Sequence, residues 1–362
     1  MSARSGSAKP GRPLNVLLVG NFYGAGNAGA YYMIMPKLMN GFIRAGHNAY
    51  AYNDREIARA RNPFGSRKFG ILPANERLVE VARDLRPELV VLGHCEMIWN
   101  RTLARMREAA PGTRIVYRNV DPLIHEQNRK DIARRSGHVD GIFVTTAGEP
   151  LREFATAPSG GNPGTFVTFM PNPIDPAIDW RRSFAAQSHA ADVFFAAGPL
   201  GADDPRKTFV ERLQAAVPQA RFDLHGKPFG RPFLFGAAYL EALAAAKMGL
   251  SVNRTDDFAF YASDRMAQMT GNGLLTFVHR GAGFQELYGE DALAFYDSAE
   301  EAAEKLRFYL KDDSAWRKAA EAGWRRSHEL FDSTRIARWI VDAAFDGGPS
   351  QDYGFPTKIW TA

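Results

Sequence analysis

Residues 244–290 read AAAKMGLSVNRTDDFAFYASDRMAQMTGNGLLTFVHRGAGFQELYGE, and this stretch decides the fold. Met248–Val252 is a short apolar run that predicts a buried strand, ending in Asn253 and Arg254. Ser263 or Asp264 can cap a helix beginning near Arg265. Gly271 and Gly273 stop that helix, and Leu274–Val278 predicts a second strand. A loop with Gly281 and Gly283 then leads into Phe284, Gln285 and Glu286. Strand and helix alternating this tightly build a parallel sheet, and such sheets bind ligands just beyond their strand carboxyl ends.

Downstream, Ala292–Tyr296 predicts a last short strand, and the rest of the chain is helical. Ala302–Leu310 is one helix. A second begins at Ser314 and carries Trp316 and Trp324. A third is capped by Ser333 and turns Ile336, Trp339, Ile340 and Ala343 inward. The helical spacing of these tryptophans places them in a core rather than on a sugar platform.

Upstream, Asp192–Ala197 (DVFFAA) predicts a strand. It is followed by a Gly-Pro turn, a loop, and Arg206 and Lys207 at the start of a helix. A helix start joined to a cation suits a phosphate, because the unpaired amides and the positive charge act together. Arg221–His225 is the next strand, ending in Gly226, Lys227 and Pro228. Leu234–Lys247 reads as a helix with Tyr239 and Leu243 on one face.

The first half repeats the alternation. Leu14–Val19 is a strand, Tyr31–Ala45 a helix, and His47–Tyr52 a strand whose end carries Asn53 and Asp54. Asn75–Leu85 and Thr102–Ala110 read as helices. Leu89–Leu92, Arg114–Val120, Gly141–Thr146 and Thr165–Met170 read as strands. Polar residues gather at three strand ends: Asn21 after Gly20, His94 and Glu96, and Asn119 and Asp121. Strand ends of one parallel sheet face the same crevice, so a carboxylate or imidazole there can act on one substrate. Their structural alternative is capping: His94 as a satisfied buried imidazole, Asp121 as a turn residue before Pro122. Arg118 lies on the same strand as Asp121 and can bind an anion.

Gly24, Gly26 and Gly29 spell G-x-G-x-x-G, which lets backbone amides approach a pyrophosphate. The first glycine stands several residues beyond the strand, and Asp54 is about thirty residues on rather than ~20. A glycine-rich substrate loop fits the spacing better than a dinucleotide turn.

The chain has 362 residues, too many for one ordinary core, so two domains are expected. Pro171–Ala190 breaks the periodic pattern with three prolines in its first six residues. The expected division is a polar tail over 1–13, a first domain over 14–178, a second over 189–332, and a terminal helix and tail over 333–362. The composition, 45% hydrophobic and 23% charged, is that of a globular protein. A net charge of +5 with interspersed signs does not point to nucleic acid, and leaves open a basic phosphate cleft or a peripheral contact with anionic lipid. A single cysteine, Cys95, allows no intramolecular disulfide and reads as buried filler. The tail has no apolar segment of a secretory signal, and no run approaches the ~20 apolar residues of a membrane span. The expectation is a cytoplasmic protein, in peripheral contact at most with the inner face of a membrane. No spacing suggests a metal site or a serine hydrolase.

Two successive doubly wound domains resemble the GT-B glycosyltransferases, and the second half resembles their glycosyl transferase family 1-like group, in particular its spore-maturation-protein-type branch. Gly198–Lys207 is similar to that group's donor-phosphate loop, and Asp223–Gly226 to its strand-then-glycine turn. SDRMAQMTGNGLLTF is similar to the branch's T-x-R-x-x-E-x-x-A-x-G segment: Arg265 matches the arginine, Gly273 the last glycine, and Gln268 stands at the glutamate position. Phe260 stands where the partner glutamate of the E-x7-E pair would fall. Glu286 resembles the later loop glutamate.

The resemblance implies an α/β protein of two Rossmann-like domains facing a cleft, with the C-terminal helix crossing back to the first. It implies a hexosyl-type transferase, retaining and metal-independent, using a nucleoside-diphosphate sugar and no further cofactor. The acceptor would be a glycan, a lipid-linked glycan or another cell-envelope molecule. Arg206, Lys207 and Arg265 would hold the diphosphate, with Asn253, Gln268, Gly283, Phe284, Gln285 and Glu286 on the rest of the donor. Asn21, Gly24, Gly26, Gly29 and Arg118 would line the acceptor side. Asp121 or His94 is the candidate base should the reaction invert. Two alternatives stay open: a nicotinamide-dependent oxidoreductase using Gly24–Gly29, and a non-catalytic module that keeps the fold.

Overall fold

Short runs of residues, most of them apolar and buried on both faces in the central strands, pair in parallel to make two separate sheets. The computed structural model describes residues 12–23, 28–198 and 204–362. It divides into two units, one of residues up to Pro171 together with Ser333–Ala362, the other Asn172–Asp332.

The first unit begins β1 (Asn15–Gly20), α1 (Ile34–Arg44), β2 (Asn48–Asn53), α2 (Asp54–Ala60), α3 (Ile71–Leu85) and β3 (Leu89–Leu92). It continues α4 (Asn100–Ala109), β4 (Arg114–Asn119), α5 (Glu126–Arg135), β5 (Gly141–Val144) and β6 (Phe166–Phe169). These strands lie in the order β6-β5-β4-β3-β1-β2, all parallel. The sequence reading places one helix over Tyr31–Ala45. The structure has a 3₁₀ turn at Ala28–Tyr32 and starts α1 at Ile34, with extended Met33 at its N-cap. Two helices have no counterpart in that reading, α2 and α5. α2 starts at the last residue of β2, where the Asn53 side chain accepts from Glu56 N.

The second unit runs β7 (Ala191–Ala196), α6 (Pro205–Ala216), β8 (Phe222–His225), α7 (Gly236–Ala244), β9 (Ala246–Ser251) and α8 (Asp264–Gly271). Then come β10 (Leu275–His279), α9 (Gln285–Tyr288), β11 (Ala294–Tyr296), α10 (Ala299–Lys311) and α11 (Asp313–Phe331). Its parallel sheet has the order β11-β10-β9-β7-β8. Counted from its own first strand this is 2-1-3-4-5, the same order that β1 to β5 follow in the first unit. α7 is shorter than expected because β9 begins at Ala246, two residues before the predicted Met248. Trp316 is buried in the core that α11 shares with α6, α10 and the sheet. Residues 172–190 are built into this unit rather than strung out as a spacer. Ile174 N donates to Phe331 O, Ser183 N donates to Asn272 O, and Asn272 Nδ2 donates to Asp179 Oδ1. Gly273, at φ +83, sits so close to this segment that a Cβ would lie 2.8 Å from Ser183 N.

The chain then returns to the first unit with α12 (Ser333–Val341), a π turn, and β12 (Ile359–Trp360), which pairs antiparallel with β6. α12 packs on α1, and Gly41 permits the approach: a Cβ there would lie 2.1 Å from Ser333 O. Ile336, Trp339, Ile340 and Ala343 are all buried, and Trp339 Nε1 donates to Phe169 O at 3.0 Å.

Candidate functional site

In an open parallel sheet the crevice for a ligand lies where the strand order reverses, beyond the carboxyl ends. Each unit has such a point, between β1 and β3 in the first and between β7 and β9 in the second.

At the β1/β3 point Asn21 follows Gly20, and His94 follows β3 by two residues. The structure brings His94 and Asp121 together. His94 Nε2 is 3.9 Å from Asp121 Oδ2, and His94 Nδ1 is 3.6 Å from Glu96 Oε1. Hydrogen bonding from His94 holds the Glu96 carboxyl down at about 2. Asp121 is held in place from behind. Its N–H donates to Asn119 Oδ1 at 3.2 Å, and Asn128 Nδ2 donates to Asp121 O at 2.8 Å. Asn119 Nδ2 donates to Asn128 Oδ1 at 2.6 Å, closing the pair.

These residues line a small pocket of about 50 Å³ that opens to solvent, walled also by Tyr117 and Arg135. Buried Arg135 donates to Asn100 Oδ1 and to the carbonyls of Cys95 and Ile98. It therefore fixes the chain that carries Glu96. Asn128 and Arg135 escape the sequence reading because they lie on α5, whose sequence EQNRKDIARR has a single large apolar residue to mark its inner face. Cys95 is buried, and burial pushes its thiol up to about 12. Gly24 and Gly26 lie outside the described residues. Gly29 is in the 3₁₀ turn before α1, and Arg118 is buried in β4.

At the β7/β9 point the guanidinium of Arg265 spans the crevice. It donates to Ala196 O at 2.8 Å and to Val252 O at 3.1 Å, one carbonyl from the end of each strand. Its Nε donates to Ser263 Oγ at 3.2 Å. Ser263 is the N-cap residue of α8, but its side chain makes no capping bond. Burial pulls the Arg265 pKa down, and the nearby charge of Arg206 acts in the same direction.

Arg206, at the start of α6, is buried and pairs in a fork with Asp204: Nε to Oδ1 at 2.9 Å and Nη2 to Oδ2 at 2.7 Å. This hydrogen bonding holds the Asp204 carboxyl below its usual range. Lys207, one residue on, lies 3.3 Å from Glu211 along the helix. Residues 199–203 of the connecting loop lie outside the described residues.

Asn253 Nδ2 donates to Asp256 Oδ1 and Tyr261 O, while its buried Oδ1 has no partner among the described residues. Gln285 Oε1 is also buried without a partner among the described residues. Buried acceptors left unmatched are costly, so each is a place for a ligand's donor group or a water. The expected loop at Gly281–Glu286 is instead a 3₁₀ turn, Arg280–Ala282, followed at once by α9, which begins with Gln285 and exposed Glu286. Phe284 is buried, 5.8 Å ring to ring from Phe260. Phe260 holds φ +56, an outlier for a bulky side chain, fixed by its N–H donating to Ala282 O at 2.7 Å. Gln268 is 4% exposed and its amide is engaged at both ends, accepting from Tyr239 Oη and donating to Asp264.

Among the described residues no group of three or more His, Cys, Asp or Glu is placed to hold a metal ion. Nor is any described helix long and apolar enough to cross a membrane.

Residues 206–342 match a family model described as glycosyl transferase-like. No protein of curated function matches by sequence. Among solved structures, the chain resembles a sucrose-phosphate synthase from Thermosynechococcus elongatus (12% identity, TM-score 0.57, covering 90% of this chain and 96% of that one). It also resembles AviGT4, a glycosyltransferase involved in avilamycin A biosynthesis (15% identity, TM-score 0.56, 96% and 100% covered). Anabaena HepE in complex with UDP and glucose is similar in the same way (13% identity, TM-score 0.55, 91% and 99% covered). At these identities the likeness establishes the fold.

Proposed function

We propose, from the match of residues 206–342 to a glycosyl transferase-like family model and from the fold shared with solved glycosyltransferases, that this chain is a glycosyltransferase that draws its sugar from a nucleoside-diphosphate donor bound by the second unit. The observation that carries the reading is Arg265, seated across the β7/β9 switch point between two strand-end carbonyls. A fixed cation there, with Arg206 and Lys207 at the start of α6, supplies positive charge where a leaving diphosphate needs it. Asn253 Oδ1 and Gln285 Oε1 supply acceptors for ribose, base or sugar hydroxyls. HepE has been solved with UDP-glucose, so a UDP-linked hexose is the first donor to test.

The acceptor, a glycan or lipid-linked glycan, is assigned to the first unit, over the cavity of His94, Glu96 and Asp121. Transfer breaks the bond between the anomeric carbon and the diphosphate oxygen and forms one to an acceptor hydroxyl. With retention, the leaving phosphate takes the acceptor proton and no side-chain base is needed. With inversion a side-chain base is needed, and Asp121 or His94 is the candidate for it. Charge from arginine, lysine and helix amides does the work that a metal would do in another enzyme.

The test is a thermal-shift panel of UDP-, GDP-, CMP- and dTDP-sugars beside nicotinamide dinucleotides, followed by product analysis for the stabilising donor. Stabilisation by one nucleotide sugar, with transfer or slow hydrolysis, supports the reading. Stabilisation by a nicotinamide cofactor alone overturns it, and stabilisation without any turnover favours a binding module.

A further inference from the structure

We propose that the loop joining α2 to α3, residues 61–70, docks the protein on an anionic lipid surface. The loop reads RNPFGSRKFG and carries Arg61, Arg67 and Lys68 with no acidic residue. All three cations are exposed, and none has an ion-pair partner among the described residues. Phe64 is 80% exposed and Phe69 66%, their rings 5.7 Å apart, and Leu72 in the first turn of α3 is 54% exposed.

This exposure is built rather than incidental. The Asn62 side chain sits inside the turn and holds it. Nδ2 donates to Ala58 O and Ser66 O, each at 2.7 Å, and Oδ1 accepts from Phe64 N at 3.1 Å and Ser66 N at 3.2 Å. Gly70 closes the loop, seated so tightly on Ala58 that a Cβ would lie 1.7 Å from Ala58 O. A turn tied at both ends cannot fold its rings back onto the sheet, so two phenylalanines stand in water beside three cations.

Aromatic rings flanked by Lys and Arg match the boundary of a bilayer, where the ring enters the acyl edge and the cation meets lipid phosphate. A second copy of the chain is a poorer occupant. A two-fold contact through this loop would set Arg61, Arg67 and Lys68 against their own equivalents. The inference does not rest on the transferase reading, and it adds to it a surface from which a membrane-borne acceptor can be reached.

The test is sedimentation of the full chain with vesicles of mixed phosphatidylglycerol and phosphatidylcholine, and with phosphatidylcholine alone. It compares wild type with Phe64→Ser/Phe69→Ser and Arg67→Glu/Lys68→Glu. Because these side chains are exposed, both variants should keep the wild-type thermal midpoint and any stabilisation by nucleotide sugar, which separates this result from the fate of the donor site. We expect binding to the anionic vesicles, weakened by roughly tenfold or more in either variant, and likewise lost in high salt. Wild-type protein that stays in solution beside anionic vesicles overturns the proposal, as do variants that bind like wild type. So does a dimer in sedimentation velocity that Phe64→Ser/Phe69→Ser dissolves without any effect on vesicle binding.

Discussion

Tyr239 Oη donates to Gln268 Oε1 at 2.6 Å, across from α7 to α8. The other end of the same amide donates to Asp264 Oδ2 at 3.0 Å. A neutral side chain is thus matched to a phenol on one side and a carboxylate on the other. Glutamate here would keep the phenol's bond and set a second carboxylate against Asp264.

Gln268→Glu is therefore expected to destabilise the protein by ~1–3 kcal/mol near neutral pH, since a buried charge gains a like neighbour and loses a donor. Urea denaturation should show the loss shrinking in Gln268→Glu/Asp264→Asn. An unchanged midpoint in the single variant would sink this account of why glutamine is present.

Lys207→Ala should weaken donor binding more than Asp121→Ala does, because Lys207 belongs to the unit assigned to the donor and Asp121 to the unit assigned to the acceptor. Isothermal titration with the stabilising nucleotide sugar measures both. Equal losses, or a larger one for Asp121→Ala, contradict that division of roles.

Asp54 is 0% exposed, its carboxylate oxygens have no hydrogen-bond partner among the described residues, and burial raises its pKa from 3.8 to about 6. A folded-state pKa above the unfolded one stabilises the protein while the group is protonated in both states. That stabilisation is lost as pH rises from about 4 through about 6. At pH 7 and above, the ionised carboxylate then costs on the order of 3 kcal/mol. Asp54→Asn should raise stability near pH 7.5 and change it little near pH 4. Chemical denaturation at the two pH values reads the difference, and a gain independent of pH would show that burial of the charge is not the cause.

Gly41→Ala should force α1 and α12 apart, because the new methyl would overlap Ser333 O. A loss of ~1–3 kcal/mol is expected, as for other overpacked contacts. A thermal midpoint equal to wild type would mean that the two helices separate freely.

Much of this protein was legible in the sequence. Apolar runs such as Leu89–Leu92 and Leu274–Val278 can only be buried strands, and the glycine, proline and serine residues between them punctuate the alternation. The inward face of α12, Ile336, Trp339 and Ile340, follows from helical spacing alone. α2 and α5 did not show themselves because their sequences, DREIARA and EQNRKDIARR, carry one large apolar residue each; packing against neighbours, not periodicity, makes them helical.

The polar strand ends marked His94 and Asp121 as candidates, because backbone direction in a parallel sheet is fixed by the strand pattern. The distance between them, the Asn119–Asn128 pair behind Asp121 and the occupation of Gln268 by Tyr239 and Asp264 belong to tertiary structure. A sequence states which donors and acceptors exist. Which of them already satisfy one another, and which, like Asn253 Oδ1, have no partner among the described residues, depends on contacts between residues tens of positions apart.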